Sequence, residues 1–306
     1  MSGRPESKSK ADVLVFEAGR PEARSDDLVT EEPLEVRLRA TKASSENATL
    51  SLHGAPLAPR GKRSVAVTMR TPGADFELAA GFLYGEGVIR NREEIESIAH
   101  CDDLAIDETQ RFNIVNVDLR TAVLPDLDTL QRHFHTTSAC GVCGKKNIDS
   151  LRFSAPAPIV AGQKVRAETL TGLPAKLRSA QGLFAATGGL HAAGLFDATG
   201  SLLAAREDIG RHNAVDKLVG WALLSGRLPL SDCILMVSGR TSFEILQKAV
   251  MAGVPVVCAV SAPSTLAVSV AREFGVTLIG FLRDERFNVY TGWERLECAS
   301  PAVAPA

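Results

Sequence analysis

No apolar run in this chain of 306 residues approaches the roughly 20 residues that a membrane-spanning helix needs. The longest runs, such as residues 254–260, are strand-sized. The opening stretch, residues 1–12, is polar and charged and carries no secretory h-region. A cytoplasmic location with no membrane partner is therefore expected. Charge of one sign is also missing. Lys and Arg number 34, Asp and Glu 36, for a formal charge of −2. That balance argues against a global polyanion binder, so no nucleic-acid partner is expected, while a local basic pocket stays compatible. No G-x-x-x-x-G-K-[ST] loop and no G-x-G-x-x-G occurs, which removes the P-loop and the dinucleotide fingerprint. There is no internal repeat and no long low-complexity segment. What remains is an ordinary globular composition, 45% hydrophobic and 23% charged, at a length that suggests about two domains.

Cysteine is scarce: Cys101, Cys140, Cys143, Cys233, Cys258 and Cys298. In a reducing compartment six scattered cysteines are not a disulfide framework. Cys233 and Cys258 lie in apolar runs and read as small buried hydrophobes. Only Cys140 and Cys143 are closely spaced, in Ser138-Ala139-Cys140-Gly141-Val142-Cys143-Gly144. The glycines allow tight turns and close approach to a partner. Lys145 and Lys146 follow, and nearby cations favour the thiolate, the nucleophile of sulfur chemistry. A thiolate there can accept a persulfide sulfur, and a second thiol three residues on can attack that carrier and close a disulfide. Other readings of the pair stay open. His133 and His135 would complete a Cys₂His₂ zinc set, although their His-x-His spacing differs from the usual one. A thioredoxin-like site needs a preceding strand that the polar stretch 121–149 lacks. An inert surface pair is the fourth reading. The zinc-deaminase motif is incomplete, because no histidine is followed two residues later by Glu and residue 139 is Ala, not Pro.

Along the chain, residues 1–32 are rich in charge, Ser and Pro and read as a flexible extension, with a short strand at 13–16. Residues 34–40, 65–69 and 115–119 alternate as strands. Residues 75–84 read as a helix closed by Gly85 at C′. Asn91 and Glu94 resemble a capping box. Residues 167–184 have helical spacing, and 190–196 with 201–206 flank a turn, Asp197-Ala198-Thr199-Gly200, as a hairpin. Residues 213–225 read as a helix capped by Gly226. Strands at 233–237, 254–260 and 276–281 then alternate with helices at 242–252 and 264–274, which predicts a largely parallel sheet covered on both faces. The expected domains are a lobe over 33–150 ending in the mobile Cys-x-x-Cys loop, an α/β domain over 151–298, and a tail, 299–306.

In such sheets ligands bind outside the carboxyl ends of the strands. Three segments emerge there. Ser238-Gly239-Arg240-Thr241-Ser242 and Ser261-Ala262-Pro263-Ser264-Thr265 run into helix N-termini, which favour anions. Phe281-Leu282-Arg283-Asp284-Glu285-Arg286 adds two arginines. Together they resemble a pocket for a phosphorylated ligand, with Ser238, Gly239 and Arg240 as its phosphate loop. The competing reading is plain N-caps and solvated arginines. Residues 207–213, Glu-Asp-Ile-Gly-Arg-His-Asn, read either as an acid/base or clamping loop or as a helix-capping loop with internal ion pairs. His191, in an apolar strand, reads as a hydrogen-bonded core histidine.

These stretches, with Thr187-Gly188-Gly189-Leu190-His191-Ala192-Ala193, occur in an order that resembles the FdhD family of formate dehydrogenase accessory sulfurtransferases. The resemblance covers about residues 34–291. It implies a cytidine-deaminase-like, mostly parallel sheet covered by helices, with an added N-terminal α+β lobe, in a homodimer. It implies a sulfurtransferase that takes persulfide sulfur from a cysteine desulfurase on Cys140 and passes it to the molybdenum (or tungsten) bis(molybdopterin guanine dinucleotide) cofactor before insertion into formate dehydrogenase. Cys143 becomes the second thiol. Phe281, Leu282, Arg283, Asp284, Glu285 and Arg286 match the family's cofactor-contacting segment. The cofactor's pyrophosphates suit Arg240, Arg283 and Arg286, beside which Asp284 and Glu285 place two negative charges. No permanently bound metal is expected. Two alternatives stay open: a non-catalytic chaperone for the cofactor and a zinc-stabilised interaction module.

Overall fold

A computed structural model of the chain describes residues 5–41, 62–124, 151, 158–159 and 164–297. The chain opens with an antiparallel hairpin, β1 (Lys8–Glu17) and β2 (Arg20–Val29), where the sequence suggests a flexible extension with one short strand at 13–16. Two features that composition hides build it. Ala18 and Gly19 both take positive φ (49° and 77°), the pairing that a two-residue hairpin turn needs. The charges that suggest disorder also pair on the ribbon, Lys8 with Asp27 at 2.8 Å and Arg24 with Glu22 at 2.7 Å.

A four-stranded sheet follows, in the order β4-β3-β6-β5, from β3 (Glu32–Ala40), β4 (Arg63–Arg70), β5 (Ile95–His100) and β6 (Ile114–Leu119). Its buried face carries Leu34, Val36, Leu38, Val115 and Val117. The helix α1 (Asp75–Gly85) lays Leu78, Ala79 and Leu83 on that face. This helix runs through Gly85, and the left-handed residue beyond it is Gly87 at φ 71°, so the expected closure is two residues early. Asn91 accepts a hydrogen bond from the Glu94 amide at 3.1 Å, as its capping pattern predicts, on a single 3₁₀ turn. β5 is half-exposed and gives no strand signal in the sequence. A short helix, α2 (Glu108–Arg111), precedes β6.

In the second half, β7 (Val165–Arg166) leads into α3 (Ala167–Thr171), α4 (Leu173–Ser179) and α5 (Gly182–Thr187). The single helix expected over 167–184 is thus broken, at Gly172 where Pro174 starts a new helix, and again before Gly182. The main sheet has six strands in the order β13-β12-β11-β10-β8-β9: β8 (His191–Asp197), β9 (Leu202–Asp208), β10 (Cys233–Val237), β11 (Val256–Ala259), β12 (Thr277–Arg283) and β13 (Arg286–Thr291). Only β10–β11 and β11–β12 pair in parallel; β8–β9, β8–β10 and β12–β13 are antiparallel. The sheet is therefore mixed rather than mostly parallel, because hairpins add strands at both flanks. Alternate residues face two cores. Leu195, Leu235, Val237, Val257 and Leu278 face α6 (Arg211–Leu224), α7 (Phe243–Met251) and α8 (Thr265–Glu273). Phe196, Ile234, Met236, Cys258 and Ile279 face α3 and α4. A last strand, β14 (Leu296–Glu297), pairs with β7. Among the described residues no helix is long and apolar enough to cross a membrane.

The two halves join through α1 and α6. A Cβ built on Gly81 would lie 1.9 Å from the Asp216 carbonyl oxygen, and one on Gly220 1.8 Å from that of Glu77. Only hydrogen fits at either position, so the helices cross in backbone contact. Arg206 chelates Glu77 at 2.5 and 2.7 Å, and the Tyr84 hydroxyl donates to the Met251 carbonyl at 2.8 Å.

Candidate functional site

The expected persulfide carrier Cys140 and second thiol Cys143, together with His133 and His135, lie outside the described residues. Among the described residues no cluster of His, Cys, Asp and Glu is fit to hold a metal ion. The other sequence candidates are on view. The three segments expected beyond the strand ends do meet. The Thr241 amide donates to the Ala262 carbonyl at 3.3 Å, and the Ser264 amide to the Thr241 carbonyl at 2.9 Å. The Phe281 amide donates to the Ser261 carbonyl at 3.2 Å, and Arg283 Nε to the Val260 carbonyl at 3.2 Å. Loops 238–242, 261–265 and the β12–β13 tip therefore form one stitched edge.

The tip is a bulged hairpin. The register shifts between Gly280 and Arg283, and Phe281 and Asp284 sit at φ 53° and 51°. An aromatic residue in the left-handed region is uncommon and tends to mark a constrained, functional position. Here the strain presents Phe281 outward, 40% exposed. Gly280 permits the bulge, since a Cβ there would meet Pro263 Cδ at 3.0 Å and the Ser261 carbonyl at 3.1 Å. Arg283, Asp284, Glu285 and Arg286 are exposed along the tip. Leu282 is fully buried in the core beneath α3 and α4, so its side chain faces away from any ligand on this edge.

Loop 207–213 divides into two halves. Its carboxylates hold the fold. Asp208 is buried against Lys217 at 2.7 Å and accepts from the Thr71 and Gly210 amides and from Asn213 Nδ2. Glu207 accepts from the Leu183 and Phe184 amides at 3.1 and 2.7 Å. Asn213 Nδ2 also donates to the Met69 carbonyl at 2.7 Å. Arg211 and His212, at the head of α6, are half-buried on the ligand side. His212 Nε2 lies 3.1 Å from Ser242 Oγ and 3.8 Å from Glu244 Oε2.

His191 differs from its expected core role. It is half-buried at the head of β8, and no described group hydrogen-bonds its ring. A Cβ on Gly239 would stand 3.3 Å from its Nδ1 and 3.8 Å from Arg211 Cδ. The bare backbone of Gly239 thus lets His191 and Arg211 close over it. Ser238 Oγ accepts from the Ala192 amide at 2.9 Å and fixes the start of the loop. Burial, then Arg211 and Arg240, hold the His191 imidazolium below its ordinary range. Burial and Arg211 push His212 down to about 4, against the pull of Glu244. The edge is therefore cationic, and both imidazoles are pushed toward their neutral form. Sequence reasoning placed Arg240 here but missed His191, whose apolar neighbours carry no local sign of the glycine that folds beneath it.

The comparisons agree with this architecture. Residues 56–297 match the sequence model of the FdhD/NarQ family. The chain is 50% identical over 296 residues to the sulfur carrier protein FdhD of Streptomyces avermitilis, covering 95% of this chain and 96% of that one. It is 49% identical over 290 residues to the protein of the same name from Mycolicibacterium paratuberculosis, covering 94% and 98%. The crystal structure of a candidate formate dehydrogenase accessory protein from Desulfotalea psychrophila superposes with a TM-score of 0.68 at 23% identity, covering 95% of this chain and 99% of that one, and so shares the fold. By the family match and the end-to-end identity, the chain belongs to the FdhD/NarQ family.

Proposed function

We propose that this chain is a sulfur carrier that serves formate dehydrogenase. The observation that carries the reading is identity of about one residue in two, over nearly the whole of both chains, to proteins named as sulfur carriers. The sequence around Cys140 and Cys143 supports it chemically. The Cys140 thiolate attacks the outer sulfur of a cysteine desulfurase persulfide; the new S–S bond forms on Cys140 as the desulfurase thiolate leaves. Attack by the Cys143 thiolate on the Cys140 sulfur then releases the outer sulfur as sulfide. The two cysteines supply both electrons and close a disulfide. The acceptor is the molybdenum bis(molybdopterin guanine dinucleotide) cofactor, bound as substrate before its insertion into formate dehydrogenase. The loop Ser238-Gly239-Arg240 and the tip with Phe281, Arg283, Asp284, Glu285 and Arg286 would hold it, the arginines against pyrophosphate, the exposed Phe281 against a flat ring. The working unit is a homodimer in the cytoplasm.

Formate dehydrogenase activity in cells that depend on this chain tests the reading. Cys140→Ala abolishes the activity at unchanged protein level, and Arg283→Ala reduces it. Full activity with Cys140→Ala sinks the carrier reading and leaves the cofactor-binding chaperone in its place.

A further inference from the structure

Four cationic or imidazole side chains gather on the stitched edge: His191, Arg211, His212 and Arg240. No described carboxylate lies within 4.0 Å of Arg211 or Arg240, and the nearest to His212 is Glu244 at 3.8 Å. Two buried polar atoms beside them make no hydrogen bond: Arg211 Nε, and Thr241 Oγ1 on a residue only 1% exposed. A guanidinium nitrogen or hydroxyl shut away from water is costly until an acceptor reaches it. Gly239 leaves the floor between His191 and Arg211 open.

We propose that His191, Arg211 and His212, over the bare backbone of Gly239, form a subsite for a doubly charged phosphate-type oxyanion, and that filling the subsite takes up a proton. This deepens the reading of loop 238–240 as phosphate-binding and rests on it. The site differs from the exposed arginines of the hairpin tip, because its donors are half-buried and fixed by the start of α6 and the end of β10.

The proton follows from the charges around the imidazoles. Arg211 and Arg240 face His191, with Asp208 behind it, itself occupied by Lys217 at 2.7 Å. Arg211, Glu244 and Lys248 face His212, and Lys248 is drawn off by Asp216 at 2.7 Å. Burial and the cations prevail, so both imidazoliums are held below the ordinary histidine range in the empty site, that of His212 down to about 4. An arriving dianion reverses the local field and favours the imidazolium. Groups whose pKa rises on binding make binding tighter as pH falls, so affinity increases from about pH 8 to about pH 6.

Calorimetric titration of the full chain with inorganic pyrophosphate, in buffers of different ionisation enthalpy, reads both claims. The expected result is net proton uptake at about pH 6 and little at about pH 8. Uptake falls in His212→Asn. Binding weakens by roughly tenfold or more in Arg211→Gln. Gly239→Ala, which fills the floor and leaves every charge in place, also weakens binding. Tighter binding of GDP than pyrophosphate, with the same dependence on Arg211, assigns the anion to a nucleotide; equal binding assigns it to a free anion. No pyrophosphate binding, binding without proton exchange, or binding indifferent to Arg211→Gln overturns the inference. Sulfur loading of Cys140, read by mass on the same samples, tells that failure apart from failure of the carrier reading.

Discussion

Gly220→Ala lowers the folding stability of the chain by about 3 kcal/mol or more. The new Cβ would sit 1.8 Å from the Glu77 carbonyl oxygen and 2.8 Å from the Gly81 amide nitrogen. Those are backbone atoms in mid-helix, and no side-chain rotation relieves the contact. α1 and α6 must move apart, yet each is pinned to its own sheet, α1 through Leu78 and Leu83, α6 through Val215 and Leu218. Separation also stretches Arg206 from Glu77 and Lys217 from the Thr71 carbonyl. Urea denaturation followed by far-ultraviolet dichroism measures the effect. Gly182→Ala is the control, since a Cβ there meets nothing within 4 Å. A loss below about 1 kcal/mol for Gly220→Ala contradicts the close crossing.

Asp208→Ala has the second large effect, about 3–5 kcal/mol. The carboxylate is fully buried and its partner Lys217 is 2% exposed. Truncation strands the ammonium with the Thr71 and Glu207 carbonyls at 2.9 and 3.3 Å. A buried charge without its counter-ion is among the most costly defects a core can hold. The Thr71 and Gly210 amides and Asn213 lose their acceptor as well. Asp208 sits between the interior and the head of α6, so the damage extends to Arg211 and His212. The expected outcome is a lower denaturation midpoint together with weaker pyrophosphate binding, measured at a temperature where the variant is still folded. Stability within about 1 kcal/mol of the parent contradicts the buried pair as drawn.

The sequence made β8 to β12 legible because strand-length apolar runs alternate there with amphipathic helices, and Asp197–Gly200 marks the one tight turn. It showed only residues 13–16 of β1 and hid the rest of β1 and all of β2, because those residues are charged and mostly exposed and because Ala18 carries no turn signal of its own. It hid β13, Arg-Phe-Asn-Val-Tyr-Thr, for the same reason of polarity. The direction of the sheet strands is not legible in the sequence, because pairing is a long-range property. Nothing local says that β8 lies antiparallel against β10, or that the chain after Arg283 turns back on β12. The candidate site was legible to the same extent. Loops that follow parallel strands announce themselves, so residues 238–242, 261–265 and 281–286 could be placed on one edge. The role of each residue in loop 207–213 could not, since burial alone separates Asp208 from Arg211. His191 reads as a core residue in the sequence because its partner in space, Gly239, is distant along the chain.

Intact mass of the chain after incubation with an active cysteine desulfurase and cysteine tests the central claim most directly. The account predicts the gain of one sulfur atom, removable by a thiol reductant, kept in Cys143→Ala and lost in Cys140→Ala. An unchanged mass in the parent chain, or a gain that survives Cys140→Ala, contradicts it.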